Sequence, residues 1–205
     1  MKNNTQSVDN SILSRIYGSK GGAVFTPSDF LDLGSRRAVD LVLHRLSRRR
    51  ILRRLARGLY DYPQQHPELG MLSPEIAKVA KALAGKDRIR LQPAGAYATN
   101  LLGLSEQVPA KVVFLTDGPS RTVKFGRQQI QLRRTTPRNM AAAGRLSGLL
   151  MQALRHLGKE HITPTRMEHL KRTVPPKQRQ RLLKDLRLAP AWMHPLFRQL
   201  AGEHS

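Results

Sequence analysis

Val39, Val42, Leu43 and Leu46 recur at i, i+3, i+4 and i+7, the spacing that lines one face of an α-helix. Ser35 stands ahead of them as the capping residue. After Arg50 the period changes. Ile51, Leu52, Leu55, Leu59, Tyr60 and Tyr62 flank Ala56-Arg57-Gly58, which predicts a β-hairpin with Gly58 at the position needing positive φ, ended by Pro63. Upstream, Ile12, Leu13 and Ile16 predict a short amphipathic helix, with Ser7 as its cap and Gly18 as its stop. Val24 and Phe25 read as a short strand after Gly21-Gly22. Thr26-Pro27-Ser28-Asp29 then starts a brief second helix that Leu33-Gly34 closes.

Beyond Pro63 the pattern loosens. Residues 64–70, QQHPELG, form the best linker candidate. Ile76, Val79, Ala80 and Leu83 predict a helix ending at Gly85, and 88–92 reads as a strand. A short helix is expected over 94–102 and a buried strand over 111–116. Residues 122–125 and 129–134 alternate around Gly126 as an antiparallel pair. From Gly144 onward the period is helical, over 146–157, 164–172, 176–188 and 190–200.

Composition changes this picture in one respect. Across 205 residues, 36 Lys and Arg oppose 14 Asp and Glu, a net charge of +22. Such a field attracts polyanions whatever the fold, whether nucleic acid, an acidic protein or a membrane surface. The excess is spread evenly along the chain, so charge alone does not say which segment makes contact. The absence of cysteine excludes disulfides and thiolate metal sites and suits a reducing cytosol. The polar start MKNNTQSVDN is unlike a signal peptide, and no apolar run approaches a membrane span. A cytoplasmic protein that does not engage membranes is expected.

Nine arginines fall between Ser35 and Pro63, threaded through both hydrophobic periods. Helix, short strand, helix, Arg-rich helix and hairpin is the order of a winged helix-turn-helix. A helix in the major groove offers its N-terminal exposed residues to base edges, and Arg fits guanine with two hydrogen bonds. Ser35, Arg36, Arg37 and Asp40 form that set, with His44 one turn on. Arg48, Arg49, Arg50, Arg53, Arg54 and Arg57 are the candidate phosphate contacts, and Arg57 at the turn is an alternative minor-groove probe. The competing account is a solvated basic face on a packed helix, with some of the hairpin arginines facing away from any duplex. Tyr60 and Tyr62 fit packing better than base stacking. The basic residues of the C-terminal helices, Lys171 through Arg187, are either a second contact surface or the polar faces of helices whose Leu182, Leu183, Leu186 and Leu188 are core.

Catalysis finds little support. Gly18-Ser19-Lys20-Gly21 lacks the spacing of a phosphate-binding loop. Gly34-Ser35 followed by Asp40 lacks the second carboxylate that nucleotidyl transfer needs for its metal. His156, His161 and His169 have no metal-ligand spacing. No enzyme activity and no cofactor are expected.

The run G-G-A-V-F-T-P-S-D-F at Gly21–Phe30, the helix from Ser35 to Leu46, and R-R-L-A-R-G-L-Y at Arg53–Tyr60 together resemble the AbiEi family of antitoxins from type IV toxin–antitoxin and abortive-infection systems. The likeness continues more loosely through S-P-E-I-A-K at Ser73–Lys78 and Q-P-A-G-A-Y-A-T-N-L-L-G-L at Gln92–Leu104, roughly two thirds of the chain. It implies a winged-helix DNA-binding domain with a second α/β domain. It also implies repression of the chain's own operon, through inverted repeats in its promoter, with a nucleotidyltransferase-like toxin as partner.

The expectation is therefore an α+β protein. Residues 1–63 form a winged helix-turn-helix that binds double-stranded operator DNA. Residues 71–205 form a mixed α/β domain with strands within 88–134 and a helical tail over 145–200. Two rivals stand beside the antitoxin: a stand-alone winged-helix transcription regulator without a toxin partner, and a basic module that binds RNA or an acidic protein.

Overall fold

The computed structural model describes residues 3–85 and 89–203. The protein is α+β, with small antiparallel and mixed sheets among helices. Its contacts divide it into two compact units, residues 1–89 with 123–127, and residues 90–122 with 128–205.

The first unit opens with α1 (Asn3–Tyr17), which begins four residues ahead of the expected cap at Ser7. Ile12 and Ile16 are fully buried, and Gly18 follows the last turn. Strand β1 (Val24–Phe25) leads into a single 3-10 turn at Pro27–Phe30. The Asp29 carboxylate holds the start of that turn by accepting the Thr26 N–H at 2.7 Å and the Thr26 hydroxyl at 3.0 Å. This tight turn is the short second helix of the sequence pattern. Helix α2 (Arg36–Arg48) follows, its Ser35 cap accepting the Ala38 N–H at 3.3 Å. The expected stripe Val39, Val42, Leu43 and Leu46 is at most 3% exposed and packs on Ile12, Ile16, Phe25 and Phe30.

Strands β2 (Arg53–Ala56) and β3 (Leu59–Asp61) form the hairpin, with Gly58 in the turn at φ 66°. The first sheet runs β1-β3-β2, antiparallel throughout. Helix, strand, short helix, helix and wing thus follow one another in winged-helix order. Residues 64–70, read as a linker, instead contain β4 (Gln65–His66), which pairs with β5 (Gly70–Met71). Helix α3 (Ile76–Ala84) comes next, with Val79 and Ala80 fully buried and the helix packed on β1. By its contacts it groups with the winged helix, and the division falls at Ile89.

In the second unit β6 (Leu91–Ala94) starts later than the sequence pattern suggests and runs through Pro93; Arg88 lies outside the described residues. A proline is tolerated there because β6 is the edge of a sheet ordered β6-β7-β9-β8. After α4 (Ala96–Leu101), β7 (Lys111–Thr116) pairs antiparallel with β6. Strands β8 (Arg121–Phe125) and β9 (Gln128–Arg134) are neighbours across the Gly126 turn. β9 also pairs parallel with β7 from Lys111↔Gln129 to Thr116↔Arg134.

Beyond α5 (Pro137–Met140), α6 (Leu146–Leu157) is the centre of the second core, with Leu150, Ala153 and Leu154 fully buried. Helices α7 (Pro164–Thr173), α8 (Pro176–Lys184) and α9 (His194–Ala201) complete that core through Leu170, Leu182 and Phe197. The helical pattern expected over 176–188 and 190–200 breaks at Asp185 and again before His194. Pro195 in the first turn sets the start of α9.

Candidate nucleic-acid interface

Helix α2 turns one stripe to the core and leaves the rest in water. Ser35, Arg36, Arg37, Asp40, Leu41, His44, Arg45, Arg48 and Arg49 are all exposed. Their side chains fall into two groups. Arg36 donates its Nε–H to the Asp40 carboxylate four residues on, at 2.9 Å, and Arg45 reaches Asp9 of α1 at 2.7 Å. The Arg45 contact ties the two helices together. The side chains of Arg37, His44, Arg48 and Arg49 make no hydrogen bond or ion pair within the described residues. Arg37, His44 and Arg48 fall at positions i, i+7 and i+11, along one edge of the helix.

The helix ends in a tight turn that places more charge beside it. The Arg50 N–H bonds the Ser47 carbonyl at 3.1 Å and the Ile51 N–H bonds the Leu46 carbonyl at 3.0 Å. This double bond pattern requires a left-handed residue at the position after the cap, usually glycine. Here it is Arg50, at φ 60°, the only residue other than glycine with positive φ among those described. An L-residue is strained there by roughly 1–2 kcal/mol, and its side chain is exposed. Periodicity and composition do not mark such a position; the strong charge run hid the missing glycine.

The wing separates its arginines by strand alternation. Arg54 and Arg57 are exposed and unpartnered within the described residues. Arg53 is not available in the same way. Its guanidinium grips Asp61, whose side chain is 1% exposed, at 3.0 Å and 2.5 Å, and its Nη2 also donates to the Leu72 carbonyl at 2.9 Å. Arg53, expected among the phosphate contacts, thus has an internal role as well: burial of the Asp61 carboxylate demands a bound cation, and Arg53 is that cation. Tyr60 is 7% exposed in the core, and Tyr62 stacks edge-on against Tyr17 with ring centres 6.1 Å apart. Both tyrosines pack.

Behind the short second helix, Arg15 forms a forked pair with Asp32 at 2.6 and 2.8 Å and lies 5.8 Å from the centre of the Phe30 ring. The hydrogen bonds that Arg15 donates to the Asp32 carboxylate raise its pKa above the ordinary arginine value. This pair fixes α1 to the segment that leads into α2.

In the second unit, Lys177, Arg181, Lys184 and Arg187 are exposed while Leu182 is buried and Leu183, Leu186 and Leu188 are half-buried. Asp185 is buried and accepts from Arg145 Nη1 at 2.6 Å and from the Ser147 hydroxyl at 2.5 Å, with Arg181 at 3.7 Å. A carboxylate already occupies the positive start of α6. His156 and His161 are exposed, and His169 is half-buried with its Nε2 2.8 Å from the Leu102 carbonyl. Among the described residues no group of three or more His, Asp or Glu side chains is arranged to hold a metal, and no helix is long and apolar enough to cross a membrane.

The model of DUF6088, a family of unknown function, matches residues 11–182, so the match spans both units. No curated protein and no solved structure matches the chain.

Proposed function

The chain belongs to the DUF6088 family, and from the surface just described we propose that it is a sequence-specific double-stranded DNA-binding protein. It acts in the cytoplasm as a transcriptional repressor. α2 enters the major groove and the wing lies along the adjacent backbone. One observation carries this reading. The arginines of α2 and its wing divide into those spent on internal ion pairs (Arg36, Arg45, Arg53) and those whose side chains have no partner among the described residues (Arg37, Arg48, Arg49, Arg54, Arg57). The second group runs from the helix start to the wing tip. Groove-facing Arg37 and His44 suit base edges, and Arg48, Arg49, Arg54 and Arg57 suit phosphates.

The resemblance to the AbiEi antitoxins supports a narrower role: autorepression at inverted repeats in its own promoter, and neutralisation of a nucleotidyltransferase-like toxin. Its matched segments supply both the wing, Arg53–Tyr60, and the Gln92–Leu104 stretch of the second unit.

The test of the first proposal is binding of the full chain to duplex DNA across a salt series, with matched single- and double-stranded RNA as competitors. Preferential duplex DNA binding whose affinity rises steeply as salt is lowered supports it. A shallow salt dependence, or equal competition by RNA, removes it. Co-expression with the product of the adjacent gene tests the narrower role: restored growth supports an antitoxin, and a neighbour that is harmless alone removes that half of the proposal.

A further inference from the structure

On the outward edge of α2, between Arg37 and His44, sits an aliphatic side chain. Leu41 is 54% exposed, whereas the other large aliphatic side chains of the helix, Val39, Val42, Leu43 and Leu46, are 0–3% exposed. An exposed leucine alone is ordinary on any protein surface. Its position is what gives it content. Residues 37, 41, 44 and 48 follow a 4-3-4 spacing, so Leu41 stands at the middle of the unpartnered edge. The charged residues on either side are engaged elsewhere, Asp40 with Arg36 and Arg45 with Asp9. Leu41 is thus an apolar island in the part of the helix that would face base edges.

In the major groove only one apolar group marks base identity, the thymine 5-methyl. We propose that Leu41 reads thymine, by packing on that methyl, and so sets an A·T pair in the target site. This rests on the DNA-binding role proposed above. Leu41 lies about 6 Å along the helix from Arg37. Base pairs are stacked at about 3.4 Å. The thymine therefore falls within about two steps of the guanine that Arg37 contacts.

The experiment begins with the full chain selecting duplexes from a random-sequence DNA pool. Each thymine of the selected site is then replaced singly by deoxyuridine, which removes only the methyl. The wild-type protein should lose roughly fourfold in affinity at one thymine, the worth of one buried methyl group, and Leu41→Ala should bind both duplexes equally. Leu41→Ala keeps helix propensity and touches no core residue, so folding is preserved. Selection of a defined site with no thymine whose methyl distinguishes wild type from Leu41→Ala overturns the proposal and leaves DNA binding standing. Failure to enrich any duplex overturns both.

Discussion

Arg53 and Asp61 lie opposite each other in the register of β2 and β3 and are joined by a two-pronged ion pair, Nε to Oδ1 at 3.0 Å and Nη2 to Oδ2 at 2.5 Å. The Leu72 carbonyl takes a further hydrogen bond from the same guanidinium, so one arginine pins the wing to the chain just beyond the β4–β5 hairpin. Arg53→Gln leaves the Asp61 carboxylate buried without its cation, which should destabilise the first unit by about 3 kcal/mol. Chemical denaturation of the full chain measures this. A mutant of normal stability whose DNA binding has lost salt dependence would return Arg53 to the phosphate contacts.

Arg54 and Arg57 have no such internal partner among the described residues. Replacing both by Gln should flatten the slope of log affinity against log salt by about one to two units, since each neutralised phosphate adds about 0.9. The change should be equal on selected and random duplexes, because phosphates carry no sequence information. An unchanged slope places the wing off the backbone.

Arg37 should behave differently. As an unpartnered side chain in the first turn of α2, it is placed for a bidentate guanine contact. Arg37→Ala should cost about 1–3 kcal/mol on a selected site and much less on random duplex. Equal losses on both would make it a phosphate contact.

Arg50 holds a left-handed conformation that glycine adopts without strain. Arg50→Gly should therefore raise stability by about 0.5–1 kcal/mol, the relief of strain being partly offset by the greater freedom of glycine in the unfolded chain. Calorimetry reads the first effect. If the exposed guanidinium also meets DNA, the same mutant should bind more weakly while melting later, a separation that packing alone does not produce.

Asp185 gives the second unit an acid-sensitive joint. Burial pushes its pKa up, but hydrogen bonds from Ser147 and Arg145 and the charges of Arg145 and Arg181 outweigh burial and hold it below the ordinary value. The folded carboxyl thus ionises more readily than the unfolded one, near 3.9. Its stabilisation is present above that value and is lost as pH falls through the depressed folded pKa. Asp185→Asn should lower the melting temperature at neutral pH, and the gap from wild type should close as pH falls below about 4. A constant gap across that range would show that the carboxylate charge is not what joins α6 to α8.

The architecture of the first unit was largely legible because its information is local. The stripe from Val39 to Leu46, the Ser35 cap and the Gly58 turn each depend on residues a few positions apart, and the structure holds all three where the pattern puts them. Elsewhere local information failed. A tail of alternating apolar residues cannot show that β9 pairs parallel with β7, since the partner is chosen by what covers both faces of the sheet. The strand expected to end at Gln92 continues through Pro93, because edge position is not written in the strand itself.

The same division runs through the candidate interface. By itself the sequence determined that a basic helix and a basic hairpin adjoin and which residues of α2 face outward. Periodicity decides facing, and composition decides charge. Only the tertiary structure decided which arginines remain free. Arg45 is claimed by Asp9 from α1 and Arg53 by Asp61 across the sheet. The reason is range. An ion pair in a protein needs its partners within about 4 Å, and residues 36 positions apart, as Asp9 and Arg45 are, come within that distance only when the chain has folded.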